Sequence, residues 1–277
     1  MLDALRLWAP PLLGVLAAFA FDRASARRGL RPPGFGDPLR RAPFLALLAL
    51  VLAFGVFAGL ATLGESGTVD FSAVDPLQLF LLHVVFLSSL AAWYALGWGG
   101  LGLPPGSHRR ELAAQLGLRS GRLDVELGIG VVAGVAGWVA VLAIMVAVGL
   151  GLFALGGQEA LPDAPPPAIV WIAGLPVAVR LALAVSAGVV EELFFRGFLQ
   201  PRVGLAASSA LFVLAHLSYD QPLMLVGITL LSLFYGALVR WRQSLWSAIV
   251  AHTLFDAIQL LVVIPLALRF VPMGAPG

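Results

Sequence analysis

Eight predominantly apolar windows follow one another along the chain, and no water-soluble fold can bury them all. They fall at Leu7 to Phe21, Pro43 to Leu63, Pro76 to Trp98, Leu127 to Leu155, Val179 to Leu199, Val203 to Leu217, Gln221 to Val239 and Leu245 to Leu268. A helix crosses the hydrocarbon core of a bilayer with about 20 apolar residues. Each window is therefore read as a span, the first and sixth being short. A further piece, Ala168 to Leu175, ends at the break Gly174-Leu175-Pro176. Composition agrees. Of 277 residues 60% are hydrophobic and 12% charged, and the mean hydropathy is +0.96, whereas a soluble domain has roughly 25% charged residues. The expected fold is all-α, a polytopic integral membrane bundle of about eight transmembrane helices. We divide it into residues 1–125, with N-terminal spans and arginine-rich loops, and residues 126–277, the core expected to carry chemistry.

Charge sets the expected orientation. All 17 basic residues are arginine. Fourteen fall on one side: Arg23, Arg27, Arg28, Arg31, Arg40, Arg41, Arg109, Arg110, Arg119, Arg122, Arg196, Arg202, Arg240 and Arg242. The loops around Glu65, Asp70 and Asp75, and around Glu159 and Asp163, hold no basic residue. By the positive-inside rule the arginine side is cytoplasmic and both termini face outward. A net charge of +2 then reflects topology, so membrane lipid and not nucleic acid is the expected partner. The arginine-only, Ala/Gly/Pro-rich usage looks bacterial, and the expected location is the bacterial inner membrane. With no cysteine, disulfides, thiolate metal sites and a thiol nucleophile are excluded. Ala18-Phe19-Ala20 resembles a signal-peptidase site, but Pro10-Pro11 interrupts the apolar stretch and six arginines follow, so the first span is expected to be retained. Ser107 to Leu118 reads as an amphipathic helix capped by Ser107 and lying on the headgroups.

The anomaly is a set of ionisable residues inside the last four windows: Arg180, Glu191, Glu192, Arg196, His216, His252 and Asp256. A charge near the centre of a span costs about 2.5–3.5 kcal/mol, so three acids cost roughly 8–10 kcal/mol unless partnered. On a helix, Glu192 and Arg196 stand one turn apart and can pair, while Glu191 points about 100° away. Glu192 thus reads as the compensated acid and Glu191 as the free one. Phe212 with His216, and His252 with Asp256, also share faces, and the second spacing lets the carboxylate orient the imidazole or join it as a ligand. Counted from the arginine side, Glu191, His216 and His252 lie roughly 15, 21 and 14 Å deep, a mismatch that a tilt of about 20° largely absorbs. Such a group can activate water through a base or a metal. The same residue types also build proton relays in transporters.

The strings Glu191-Glu192-x3-Arg196 (VVEELFFRGFLQ), Phe212-x3-His216 (ALFVLAH) and His252-x3-Asp256 (AHTLFD) resemble, in order, the three motifs of the CPBP family. That family includes the CAAX prenyl endopeptidase Rce1 and the bacterial Abi proteins. The resemblance covers about Val179 to Asp256. It implies an intramembrane endopeptidase acting on a membrane-anchored or lipidated polypeptide, with Glu191 and His216 activating water. His252 and Asp256 would stabilise the oxyanion, or with Glu191 and His216 would hold a divalent metal such as zinc; Glu192 and Arg196 would keep the motif in shape. The last position is often Asn in the family. An ionised Asp256 would repel an oxyanion, so it must be protonated, orient His252 or bind metal. Bacterial members are also assigned to bacteriocin immunity, which leaves a non-catalytic immunity factor and a proton-coupled transporter as the alternatives.

The remaining polar and aromatic residues carry plainer readings. No H-E-x-x-H occurs, and Ser186 lacks the glycine pattern of a rhomboid nucleophile and reads as a small packing residue. His83 reads as a hydrogen-bonded core histidine, Arg180 as snorkelling to the outer interface, His108 as a loop residue and Asp220 as solvated. Phe194, Phe195 and Phe198 read as helix-packing or lipid-facing surface. Trp8, Trp93, Trp98, Trp171, Trp241 and Trp246 sit near span ends, as interfacial anchors do.

Overall fold

The computed structural model describes residues 2–62, 73–99, 105–160, 165–219 and 221–270, and among these every regular element is helical. Glu65, Asp70, Asp163 and Asp220 lie outside the described residues, as do the side chains of Ser107 and His108. Helices α1 (Leu2–Arg27) and α2 (Pro38–Gly55) pack side by side. Between them Asp37 caps α2 by accepting from the Leu39 N–H at 2.9 Å. Asp37 also ends the string Gly34-Phe35-Gly36-Asp37, which matches the Gly-x-Gly-Asp pattern of presenilin-type aspartyl proteases; here that carboxylate is occupied as a cap.

Helices α3 (Leu81–Trp98), α4 (Pro105–Gln115), α5 (Leu123–Gly156) and α6 (Pro167–Gly174) follow. Helix α7 (Val177–Glu191) then widens into a π-helical turn, Glu192–Leu199. Helix α8 (Leu205–Leu214) leads to α9 (Pro222–Arg242) and α10 (Trp246–Ile258), and α10 runs into a second π turn at Gln259–Val263.

Among the described residues five stretches are long and apolar enough to cross a membrane: Pro38–Gly55, Pro76–Trp98, Leu123–Ala160, Pro222–Arg242 and Trp246–Ala267. Eight spans are therefore not confirmed. The sixth window holds only the ten residues of α8, about 15 Å of helix against a hydrocarbon core of about 30 Å. Its chain turns at Ala215 and His216 and goes on as a 3₁₀ turn, Leu217–Tyr219. The fifth window fails on charge, because any 18 residues of Val177 to Leu199 include at least three of Arg180, Glu191, Glu192 and Arg196. Leu12, Leu16 and Phe19 on α1, and Val131, Val132, Val135 and Val139 on α5, are exposed. Such uncovered apolar faces belong to helices that meet lipid, and with the five spans they make this a membrane protein.

Two kinds of packing position the site. Aromatic rings build the first: Phe86 stacks on Phe194 at 4.3 Å, and Trp93 meets Phe21, Phe44 and Phe198 edge-on at 5.1 to 5.5 Å. Phe194, Phe195 and Phe198 are all fully buried, so they pack helices and do not face lipid. Trp93 and Trp98 are buried as well, contrary to their expected role as anchors, whereas Trp8 and Trp241 are exposed. Glycine builds the second. A Cβ on Gly130 would come within 2.6 Å of Val250, and one on Gly134 within 3.0 Å of the Ala251 carbonyl oxygen, so α5 lies against α10. A Cβ on Gly188 would overlap Thr253, and this close approach of α7 to α10 brings Glu192 to His252. Gly188→Val is expected to cost about 1–3 kcal/mol in overpacking and to abolish function. Thermal unfolding in detergent beside Gly128→Val, where nothing lies within 4 Å, checks this; equal melting temperatures would contradict it.

Other polar residues also depart from expectation. The Arg180 guanidinium is buried and donates to the Leu260 carbonyl at 2.7 Å, so it ties α7 to the second π turn and does not snorkel. Helix α4 begins at Pro105, two residues before the expected cap. The chain at its end is docked on the bundle: Leu245 N–H donates to Gly117 O and Trp246 Nε1–H to Leu118 O, both at 2.8 Å.

Candidate active site

The two adjacent acids straddle a change of helical pitch. Glu191 closes α7 and Glu192 opens the π turn, a local geometry frequent at functional sites. The widened turn is held from outside, since the Phe195 carbonyl accepts from Ser208 Oγ–H at 2.6 Å as well as from the Gln200 N–H. Glu192 and Arg196 still share a side, and Arg196 Nη1 lies 3.2 Å from Glu192 Oε1. The Arg196 guanidinium sits over the Phe212 ring at 4.1 Å and donates to Ser232 Oγ at 3.3 Å. Both Arg196 and Arg202 are 1% exposed. Both are counted among the arginines of the cytoplasmic side, yet both are buried within the bundle.

Glu192 has a second partner. His252 Nδ1–H donates to Glu192 Oε1 at 2.9 Å, and His252 Nε2 lies 3.5 Å from Asp256 Oδ2. The imidazole also stacks on Tyr235 at 5.0 Å. Asp256 thus lies within ion-pair reach of the His252 ring.

Glu191, 9% exposed, is not the free acid expected. Its Oε1 lies 3.6 Å from Nε2 of His83 on α3, and His83 Nδ1 is hydrogen-bonded to the Ser186 hydroxyl. His83 is thus a hydrogen-bonded histidine, as read, but one that faces the site. A Ser186 hydroxyl donating to Nδ1 puts the ring proton on Nε2, towards Glu191. His216 and His252 are also within electrostatic reach of the Glu191 carboxylate. His216 Nδ1–H donates to the Phe212 carbonyl at 2.7 Å, which leaves the lone pair on Nε2. Sequence reasoning also passed over Tyr235. Its hydroxyl is buried without a hydrogen-bond partner, and Asp256, Glu192 and Glu191 all act on it electrostatically. The signal for both residues was a polar group in an apolar span, the same anomaly that marked the motifs.

His83→Phe is expected to lower turnover about tenfold and to shift the acid limb of the pH–rate profile, with little change in melting temperature. A lower melting temperature with an unmoved profile would reduce His83 to packing.

Metal ligation is a separate question. Among the described residues no three His, Asp or Glu side chains are grouped so as to hold a metal ion. Both nitrogens of His252 face carboxylates. The set Glu191, His216, His252 and Asp256 does not fit a zinc site, which needs free imidazole lone pairs converging tetrahedrally.

These features define a membrane protein with a carboxylate–imidazole cluster enclosed between helices. Residues 173–258 match the model of the family described as type II CAAX prenyl endopeptidase Rce1-like. The resemblance carried by the three motifs is borne out over that segment, which contains Glu191, Glu192, Arg196, His216, His252 and Asp256. Over 69 residues the chain is 33% identical to the uncharacterized protein YpbD of Bacillus subtilis (strain 168), a stretch covering 24% of this chain and 36% of that protein. The chain thus spans about a third of the length of the curated relative it matches. No solved structure matches it.

Proposed function

We propose that the protein is an endopeptidase of a bacterial inner membrane that hydrolyses a peptide bond in a membrane-anchored or lipidated polypeptide. The observation that carries this reading is the pairing of Glu191 with His83 beside the Glu192–His252–Asp256 chain, both acids lying in the segment that matches the endopeptidase family. Water held between Glu191 and Nε2 of His216 adds its oxygen to the scissile carbonyl carbon, and its proton passes to one of these bases. The carbonyl oxygen takes the negative charge. Donors aimed at that oxygen supply much of such catalysis, and the buried Tyr235 hydroxyl, which has no hydrogen-bond partner, is the candidate donor, while His252 stays engaged with Glu192 and Asp256. The C–N bond then breaks, and the proton taken from water goes to the leaving amine. No step passes through a metal.

The test is cleavage of quenched fluorescent peptides, one farnesylated and others tethered by a transmembrane segment, by protein reconstituted in liposomes. Each reaction is run with and without chelator, and the products are read by mass spectrometry. The expected result is cleavage that changes less than about twofold with chelator, since the donor set does not suit zinc. Loss of activity with chelator would overturn the metal-free mechanism. Absence of cleavage together with a proton flux would favour a transporter.

A further inference from the structure

On the arginine side of the bundle, α1 and the chain just beyond the π turn border an open cavity of about 750 Å³. Arg23, Arg27, Arg28 and Arg202 line it together with Leu16 and Phe19, and no carboxylate does. We propose that this cavity binds the phosphate headgroup of an anionic phospholipid, with an acyl chain lying along Leu16 and Phe19.

Three observations carry the proposal. The first is unbalanced charge. Among the described residues neither Arg23 nor Arg27 has a carboxylate within ion-pair distance, and Arg28 donates only to a carbonyl, that of Pro201, at 3.0 Å.

The second is Arg202. At 1% exposed it is buried, its partners are the Phe198 carbonyl at 2.6 Å and the neutral Gln115 Oε1 at 2.9 Å, and its Nε has no hydrogen-bond partner. Ring faces of Trp93 and Phe198 lie 4.6 and 5.0 Å from the guanidinium carbon. A buried guanidinium with no counter-charge is incomplete until an anion reaches it.

The third is the continuation of the cavity in apolar surface, which distinguishes a lipid from soluble phosphate. Leu12, Leu16 and Phe19 are exposed and succeed one another at helical spacing on the face that carries Arg23 and Arg27. Leu16 stands about 10 Å along the axis from Arg23, where the upper acyl chain of a lipid held by its phosphate would run. Basic pockets between helices at the cytoplasmic interface take anionic headgroups by the same physics. The Arg28 to Pro201 hydrogen bond joins α1 to the end of the helix that carries Glu191 and Glu192, so a bound headgroup would brace that helix. The inference stands apart from the peptidase reading, and its test needs no activity.

The experiment is native mass spectrometry of the full chain equilibrated with equal amounts of phosphatidylglycerol and phosphatidylcholine. Wild type is compared with Arg23→Gln/Arg27→Gln and, for general charge, with Arg109→Gln/Arg110→Gln, whose arginines are exposed elsewhere on the surface. The proposal expects wild type and the control to retain phosphatidylglycerol over phosphatidylcholine by about tenfold, and the Arg23/Arg27 variant to fall within about twofold of no preference. All these positions are exposed, and melting temperatures close to wild type verify the fold. Equal preference in all three proteins, or none in wild type, would overturn it. So would stabilisation of wild type by glycerol 1-phosphate as strong as that by phosphatidylglycerol, since the ligand would then be a soluble phosphate.

Discussion

Glu191→Gln is expected to lower peptide cleavage by about 10²–10⁴-fold, the contribution of a positioned general base, without moving the melting temperature by more than a few degrees. The amide has the same shape as the carboxylate and can keep its place beside His83 Nε2, 3.6 Å from the Glu191 oxygen. It cannot take a proton from water. Folding and catalysis therefore separate at this residue. His216→Ala is expected to act in the same direction, because it removes the Nε2 lone pair that the Phe212 carbonyl fixes through Nδ1. Initial rates on the best-cleaved tethered peptide measure both, and wild-type turnover in the two variants would end the mechanism.

Glu192→Gln is expected to behave in the opposite way and to cost about 3–5 kcal/mol of stability, the penalty for breaking a buried ion pair by removing one partner. Glu192 is 0% exposed, and its Oε1 serves both Arg196 at 3.2 Å and His252 at 2.9 Å. Neutralising it leaves a guanidinium among Phe212, Tyr235 and Phe195 with no opposite charge. Arg196→Met should cost a similar amount. The double variant Glu192→Leu/Arg196→Met should recover much of the loss, since neither charge is then stranded. The comparison is Glu126→Gln, which opens the 2.8 Å pair with Arg242 at the edge of the bundle, where the arginine side chain is 25% exposed; pairs nearer water are worth about 1 kcal/mol or less. Chemical denaturation in detergent ranks the variants. A smaller loss for Glu192→Gln than for Glu126→Gln would refute the buried-pair account.

Much of this molecule could be read from the chain, for physical reasons. Long apolar runs force helices, because a backbone in lipid must satisfy its own hydrogen bonds. Charges inside those runs mark a site, because they are costly there. The Glu192–Arg196 and His252–Asp256 pairs followed from i, i+4 spacing alone. Three-dimensional facts without a local signature did not follow. The turn that stops α8 at Ala215 and His216 contains neither glycine nor proline. Arg202 stands at a span end by sequence position, yet it is buried against aromatic rings. His83 seemed solitary because its partners Ser186 and Glu191 lie more than a hundred residues away in sequence. Gly188 has no local sign in the sequence of its close approach to Thr253.

The most direct test of Glu191-driven hydrolysis is a reaction in H₂¹⁸O, with wild type, Glu191→Gln and His216→Ala in matched liposomes and the best-cleaved peptide as substrate. Wild type should release a fragment whose new carboxylate carries the label, and both variants should release almost none while remaining folded. Labelled product formed at the wild-type rate by the two variants would contradict the assignment of the base.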